Sequence, residues 1–272
     1  MRRVRTLIGA LLVAAVPVAA NALPPVSTVL QQMKEATDPP RASVRTMNIT
    51  VDNLGEAQKF VARQARKQFA DGKRMTTVVM DPADLRGIGY MVFEPKDQSK
   101  PTIMWTYEPF IRRVRKIIAV DNYEHFLGTD FTYADLGFSF MRSKKNVRLV
   151  GVEPHAGTAA YKVEEKFSSS QMFYSRIVTW IAQSTMLPLE SDYYDPTGRL
   201  WKKETFDSVA TINGMPTVMH VQMKDLEAGT SSDINLTEVQ YDAALPDTLF
   251  DPDHLPKLSD SAEWAAGGAA GK

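Results

Sequence analysis

"TVMHVQMKD", residues Thr217 to Asp225, places Met219, Val221 and Met223 on one side of an extended chain and Val218, His220, Gln222 and Lys224 on the other. Successive side chains of a strand point to opposite faces, so this period of two predicts a half-buried β-strand. Asn213-Gly214 stands just before it. That dipeptide accepts the positive φ values of a type I′ turn, and so predicts an antiparallel hairpin with the segment upstream.

The same period recurs along the chain. In "MNITVDN", Met47, Ile49 and Val51 alternate with Asn48, Thr50 and Asp52. Further short segments follow at about Thr76–Asp81, Ile88–Glu94, Thr102–Tyr107, Ile111–Ile117, Val147–Val152, Tyr161–Phe167, Arg176–Ala182, Leu187–Tyr194, Leu200–Val209 and Ile234–Tyr241. Asp195-Pro196-Thr197-Gly198 fits a type I turn, with Pro at its second position and Gly at its fourth. Closely spaced strands joined by turns predict a mainly β protein, one antiparallel sheet curled or packed on itself. Before the sheet, Val26, Val29, Leu30 and Met33 fall at helical spacing and predict one amphipathic helix from Pro25 to about Ala36, stopped by Asp38-Pro39-Pro40. One stretch resists the pattern. "EAQKFVARQARKQFADG", Glu56 to Gly72, is rich in helix formers and reads on its own as a helix.

The chain opens with Met1-Arg2-Arg3-Val4-Arg5, an apolar run from Leu7 to Ala20, and Ala20-Asn21-Ala22. A basic start, an apolar middle and an A-x-A end predict a secretory signal peptide over residues 1–22 and a periplasmic destination. The apolar run is too short for a membrane span, which needs about 20 residues. Cleavage after Ala22 reduces Lys plus Arg from 32 to 29 against 32 acids. That balance offers no electrostatic case for nucleic acid. With no cysteine, disulfides, thiol catalysis, Cys–Zn sites and an acylated lipoprotein cysteine are all excluded. Residues 23–258 read as one domain, and residues 259–272, with their Ala and Gly run, as a disordered tail.

Catalytic chemistry finds little support. His125, His155, His220 and His254 are scattered without ligand spacing, so no metal is expected. There is no G-x-S-x-G, no supportable Ser–His–Asp order, and no phosphate loop or dinucleotide fingerprint, so no cofactor is expected. Glu164 and Glu165 point to opposite faces of a strand and cannot share a proton. The run Arg112-Arg113-Val114-Arg115-Lys116 reads as a polar strand face. The 13 methionines would suit an apolar surface that repacks around varied ligands, if the sheet face they line is left uncovered by protein.

Four stretches carry a family pattern: "MDPADLRGIGYMVFEP", "TIMWTYEPFIRRVRKI", "FLGTDFTYADL" and "LPLESDYYDPTGRLWKKETF". With Pro82, Asp84, Leu85 and Gly87, then Trp105 and Tyr107, then Arg113, Val114 and Arg115, then Gly128 through Leu136, the chain resembles the LolA-like periplasmic outer-membrane lipoprotein-sorting proteins. The resemblance runs from about Met47 to Leu255. The loop "EPKDQSK" and the segment "SFMRSKKN" depart from it.

The resemblance implies an incomplete β-barrel whose open side is closed by helices, a lid over a hydrophobic cavity for acyl chains; within it Glu56–Gly72 would be a strand. It implies a scaffold role for the Gly128, Asp130 and Asp135 motif, with Asp130 or Thr132 capping a short helix and Asp135 completing a capping box. Apolar cavity candidates are Ile49, Val51, Trp105, Phe126, Phe131, Leu136, Met219, Val221 and Met223. The function implied is a monomeric carrier or chaperone for lipid or lipoprotein acyl chains, working with an inner-membrane exporter of the resistance–nodulation–division type. A lipid-sensing module is the alternative, and a lipid-ester hydrolase ranks below both. A transmembrane barrel fails on its short strands and on the charge it would expose to lipid. An acyl chain of roughly fifteen methylenes costs about 12 kcal/mol to leave in water, so a soluble carrier must bury it almost completely.

Overall fold

The computed structural model describes residues 23–97, 99–117, 124–136, 146–167 and 173–264. The signal peptide expected over residues 1–22 lies outside them. Helix α1 is Val26–Thr37. A first antiparallel run contains β1 (Ser43–Asn53), β2 (Glu56–Phe69), β3 (Gly72–Asp81), β4 (Gly89–Pro95), β5 (Ile103–Glu108) and β6 (Arg113–Ile117). A short helix α2 (Tyr133–Leu136) follows. The second run contains β7 (Val147–His155), β8 (Thr158–Lys166), β9 (Arg176–Ala182), β10 (Pro188–Tyr194), β11 (Leu200–Ile212), β12 (Met215–Asp225) and β13 (Thr230–Tyr241).

All thirteen strands form one sheet in the order β6-β5-β4-β3-β2-β1-β13-β12-β11-β10-β9-β8-β7. Two meanders are thus joined where the first strand pairs with the last, Ile49 opposite Ile234. The two edges, β6 and β7, do not pair with each other, and the sheet stays open. Local turn chemistry holds where it was read. Asn213 and Gly214 take φ of 49° and 77° between β11 and β12. The Gly198 amide donates to the Asp195 carbonyl at 2.9 Å.

Residues 56–69 are strand, not helix. β2 pairs along its length with β1, from Asn53↔Glu56 to Ser43↔Arg66, and with β3 on its other side. Helix propensities differ by well under 1 kcal/mol per ordinary residue. Two flanking ladders and the burial of Phe60, Ala62 and Ala65 outweigh them.

The sheet is curled, and α1 shows by how much. Val29 and Met33 of α1 are buried against Val163 of β8 and Ile181 of β9. Its far end reaches Glu94 of β4 through Lys34, and Asp38 beyond it reaches Lys73 of β3. β4 and β8 are nine steps apart in the strand order, roughly 43 Å if the sheet were flat, at about 4.8 Å per step. A helix of 12 residues is only about 18 Å long. The sheet must therefore wrap around α1, which lies across its concave face.

The convex face has its own cover. Residues 243–264 return as irregular chain and 3-10 turns (Asp247–Phe250 and Pro252–Asp260) over β3 to β6. Leu249, Leu255, Leu258 and Trp264 pack there on Val78, Met91 and Tyr107. Gly89 lets this cover sit close, since a Cβ at that position would meet Leu255 at 3.0 Å. The boundary expected at residue 259 is corrected here. Ser259 and Trp264 are buried, and the Trp264 indole donates to the Leu258 carbonyl at 2.7 Å. An apolar ring two turns past the last strand still found sheet to cover. Residues 265–272 lie outside the described residues.

Candidate functional site

Between β6 and β7 the chain lays "FLGTDFTYADL" across the concave face. Thr132 caps α2: its Oγ1 accepts from the Asp135 amide at 3.2 Å, while its own amide donates to Asp135 Oδ2 at 2.8 Å. Such reciprocal bonding is a capping box with Asp in the acceptor role. Asp130 is not a cap. Its carboxylate accepts from the hydroxyls of Ser232 (2.6 Å) and Thr230 on β13, and its carbonyl accepts from the buried Lys202 Nζ of β11 at 2.7 Å. Gly128, exposed at φ 72°, turns the chain between these anchors. The aromatic residues of the motif then lock to the first meander. Phe126 and Tyr133 stand 5.9 Å apart and 5.9 and 5.2 Å from Tyr90 of β4. The motif is thus a strap fixed to both halves of the sheet.

Beside the strap, under the C-terminal end of α1, is a cavity of about 190 Å³. Its apolar wall includes Met47, Phe131, Leu187, Val221, Ile234 and Leu236, and Ala36 and Thr37 of α1 close it above. Pockets for drug-sized ligands hold about 300–1,000 Å³, so this cavity is smaller than such a ligand needs. The lid is held by ion pairs. Lys34 meets Glu94, and Asp38 meets Lys73 at 2.6 Å and Arg66 at 3.4 Å.

The cavity also has a polar part. Arg45, Gln64 and Arg66 line one wall, and Glu204 and Asp135 line another. Glu204 is buried and accepts from the Tyr193 hydroxyl. Burial pushes its carboxyl up to about 8, against the pull of that hydrogen bond and with Asp135 nearby adding to the rise. Asp135 in turn accepts from the Tyr174 hydroxyl at 3.2 Å. At neutral pH Glu204 itself is therefore mostly uncharged.

The expected cavity residues divide. Ile49, Val51, Phe126, Phe131 and Met223 are buried in one apolar cluster on the concave face, with Val221 packed against it. Of these, Phe131 and Val221 line the cavity itself. Met219 shares the strand parity of Val221 but is half-buried and lies outside the lining. Leu136 ends α2, and its side chain lies outside what is described. Trp105 is on the wrong side. It packs with Met91 and Tyr107 on the convex face, because its neighbours Met104 and Thr106 take the inward parity of β5. Sequence reading missed Arg45 and Glu204. Arg45 carried a signal, since it shares the parity of Met47, Ile49 and Val51 and so points inward with them.

A single curled antiparallel sheet with a strapped concave face and a helical lid defines the LolA-like class of folds. Residues 71–257 match a family profile described as an uncharacterized protein family. A DUF1329 family protein from Desulfovibrio piger superposes with a TM-score of 0.76 at 25% identity, covering 85% of this chain and 99% of that one. A domain from Vibrio parahaemolyticus, assigned to outer membrane lipoprotein sorting, gives 0.75 at 21% identity over 85% and 97% of the two chains. A LolA superfamily protein from Nitrosomonas europaea gives 0.66 at 17% over 85% and 100%. No curated protein matched. The profile spans well over half of the chain, and the chain belongs to that family, whose fold is LolA-like.

Proposed function

We propose that this protein is a periplasmic carrier that buries the acyl chain of a lipid or lipoprotein against the concave face of its sheet and moves it towards the outer membrane. One observation carries the reading: the concave apolar face is crossed by helix α1 above a cavity. Helix α1 leads into β1 through the short segment 38–42 and is held by ion pairs at its C-terminal end. Lifting it would uncover Val163, Ile181 and the cavity wall together, and an acyl chain would replace the apolar contacts that Val29 and Met33 give up. The small resting volume fits a carrier that is closed when empty. The basic, apolar and A-x-A pattern of residues 1–22 supports export. The lipoprotein-sorting assignment of the Vibrio relative supports the class of cargo. The test is displacement of a fluorescent fatty acid from the protein and from Val221→Glu. Wild type should bind, and the variant, folded by circular dichroism, should bind at least roughly tenfold more weakly because its charge lies beside the chain. A folded variant that binds as wild type does would place the ligand elsewhere.

A further inference from the structure

Arg45 is the concave-face residue that folding explains least. Its side chain is 6% exposed, yet the guanidinium, with five donors, makes one hydrogen bond among the described residues, from Nη2 to Ser43 Oγ at 2.8 Å. Its Nε is buried with no hydrogen-bond partner among the described residues. No carboxylate among them lies within ion-pair reach of it. The nearest acid, Asp38, is already engaged by Lys73 at 2.6 Å and Arg66 at 3.4 Å, and Lys34 takes Glu94. Burial, with Arg66 adding to it, pushes the Arg45 guanidinium down to about 9, so it stays charged at neutral pH. Glu204 on the far wall is mostly neutral, and Asp135, which accepts from Thr132 and Tyr174, makes no ion pair with Arg45 among the described residues. A buried charge without a partner is costly, and an apolar side chain of similar volume would serve folding as well or better. The fork lines the cavity wall beside Arg66, within the same space as Val221 and Leu236.

We propose that Arg45, flanked by Arg66, anchors the anionic head of the cargo, so that the preferred ligand is an acyl chain ending in a carboxylate or phosphate. This rests on the carrier reading above and adds the chemistry of the head group. Guanidinium matches both oxyanions in bidentate geometry, and the chain would run from it along the apolar wall towards Phe131.

The experiment is displacement of the fluorescent fatty acid by palmitate, by a palmitoyl lysophosphatidate, by hexadecanol and by inorganic phosphate. Either charged amphiphile should act at a concentration roughly tenfold or more below that of hexadecanol, the scale of a charge-assisted hydrogen bond. Inorganic phosphate alone should not displace the probe, and displacement by it at the amphiphile concentrations would overturn the head-group role. Arg45→Met should weaken the charged ligands roughly tenfold or more, to about the level of hexadecanol, and affect hexadecanol far less. Arg45→Lys should keep part of the preference. Equal displacement by charged and neutral chains in wild type would overturn the proposal while leaving the carrier reading intact, whereas failure of every chain to bind would overturn both. A melting temperature of Arg45→Met well below that of wild type would assign the charge to folding and also overturn it.

Discussion

The two faces of the sheet are both apolar and both covered, but by different kinds of cover. On the convex face, residues 243–264 interdigitate with β3 to β6, bury Leu249, Leu255 and Trp264, and bond into the sheet through Thr76 and the Leu249 carbonyl. On the concave face, α1 rests on a few apolar contacts and three ion pairs above a cavity. A sheet with two greasy sides needs two covers in water. Here one is built as core and the other as a lid. The kind of cover, a chain segment on one side and a helix over a cavity on the other, separates the two faces.

The largest contrast should come from Leu249→Ala on the convex side. Leu249 is fully buried, and truncation should cost about 2–5 kcal/mol of unfolding free energy in urea. A loss below about 1 kcal/mol would mean that this cover is as loose as the lid.

Next in size is the buried acid of the concave wall. Glu204 has its folded pKa raised from 4.5 to about 8, so the folded state holds the proton more tightly than the unfolded chain does. Its stabilising contribution is complete below about pH 4.5 and is lost as pH rises to about 8, up to about 5 kcal/mol in all. Glu204→Gln should flatten that part of the stability–pH curve and raise stability at pH 8. An identical curve for variant and wild type would show that Glu204 is hydrated in solution and the cavity more open than it stands here.

Asp130→Ala should follow, at about 1–3 kcal/mol, because the buried Ser232 hydroxyl and the half-buried Thr230 hydroxyl lose their acceptor. Acyl-chain binding should fall only with folding, which a binding assay at several denaturant concentrations would resolve. Smallest of all should be Val221→Glu in the empty protein, within about 1 kcal/mol, since Val221 is only half-buried and a carboxylate there can reach water. If it unfolds the protein as a charge at Leu249 would, the concave face is ordinary core and the comparison collapses.

Much of this was legible locally. Strand parity at Met47–Val51 and Met219–Met223, the Asn213-Gly214 turn, the limits of α1 and the Thr132–Asp135 capping box all depend on side chains within a few residues of one another. The composition of residues 56–69 was locally misleading, and strands on both sides overrode it. Asp130 stood as an alternative to Thr132 for the cap because its partners, Ser232 and Thr230, are about a hundred residues away.

What the sequence by itself determined is therefore the list of strands, their turns, one amphipathic helix and the family pattern, because periodicity and turn chemistry are properties of short stretches. Only the tertiary structure decided which parity faces inward. Parity within a strand is relative, and register with its neighbours and the curl of the whole sheet give it an absolute direction. That is why Trp105 went to the convex face, Trp264 became core, and Arg45 and Glu204, 159 positions apart in the chain, came to line one cavity.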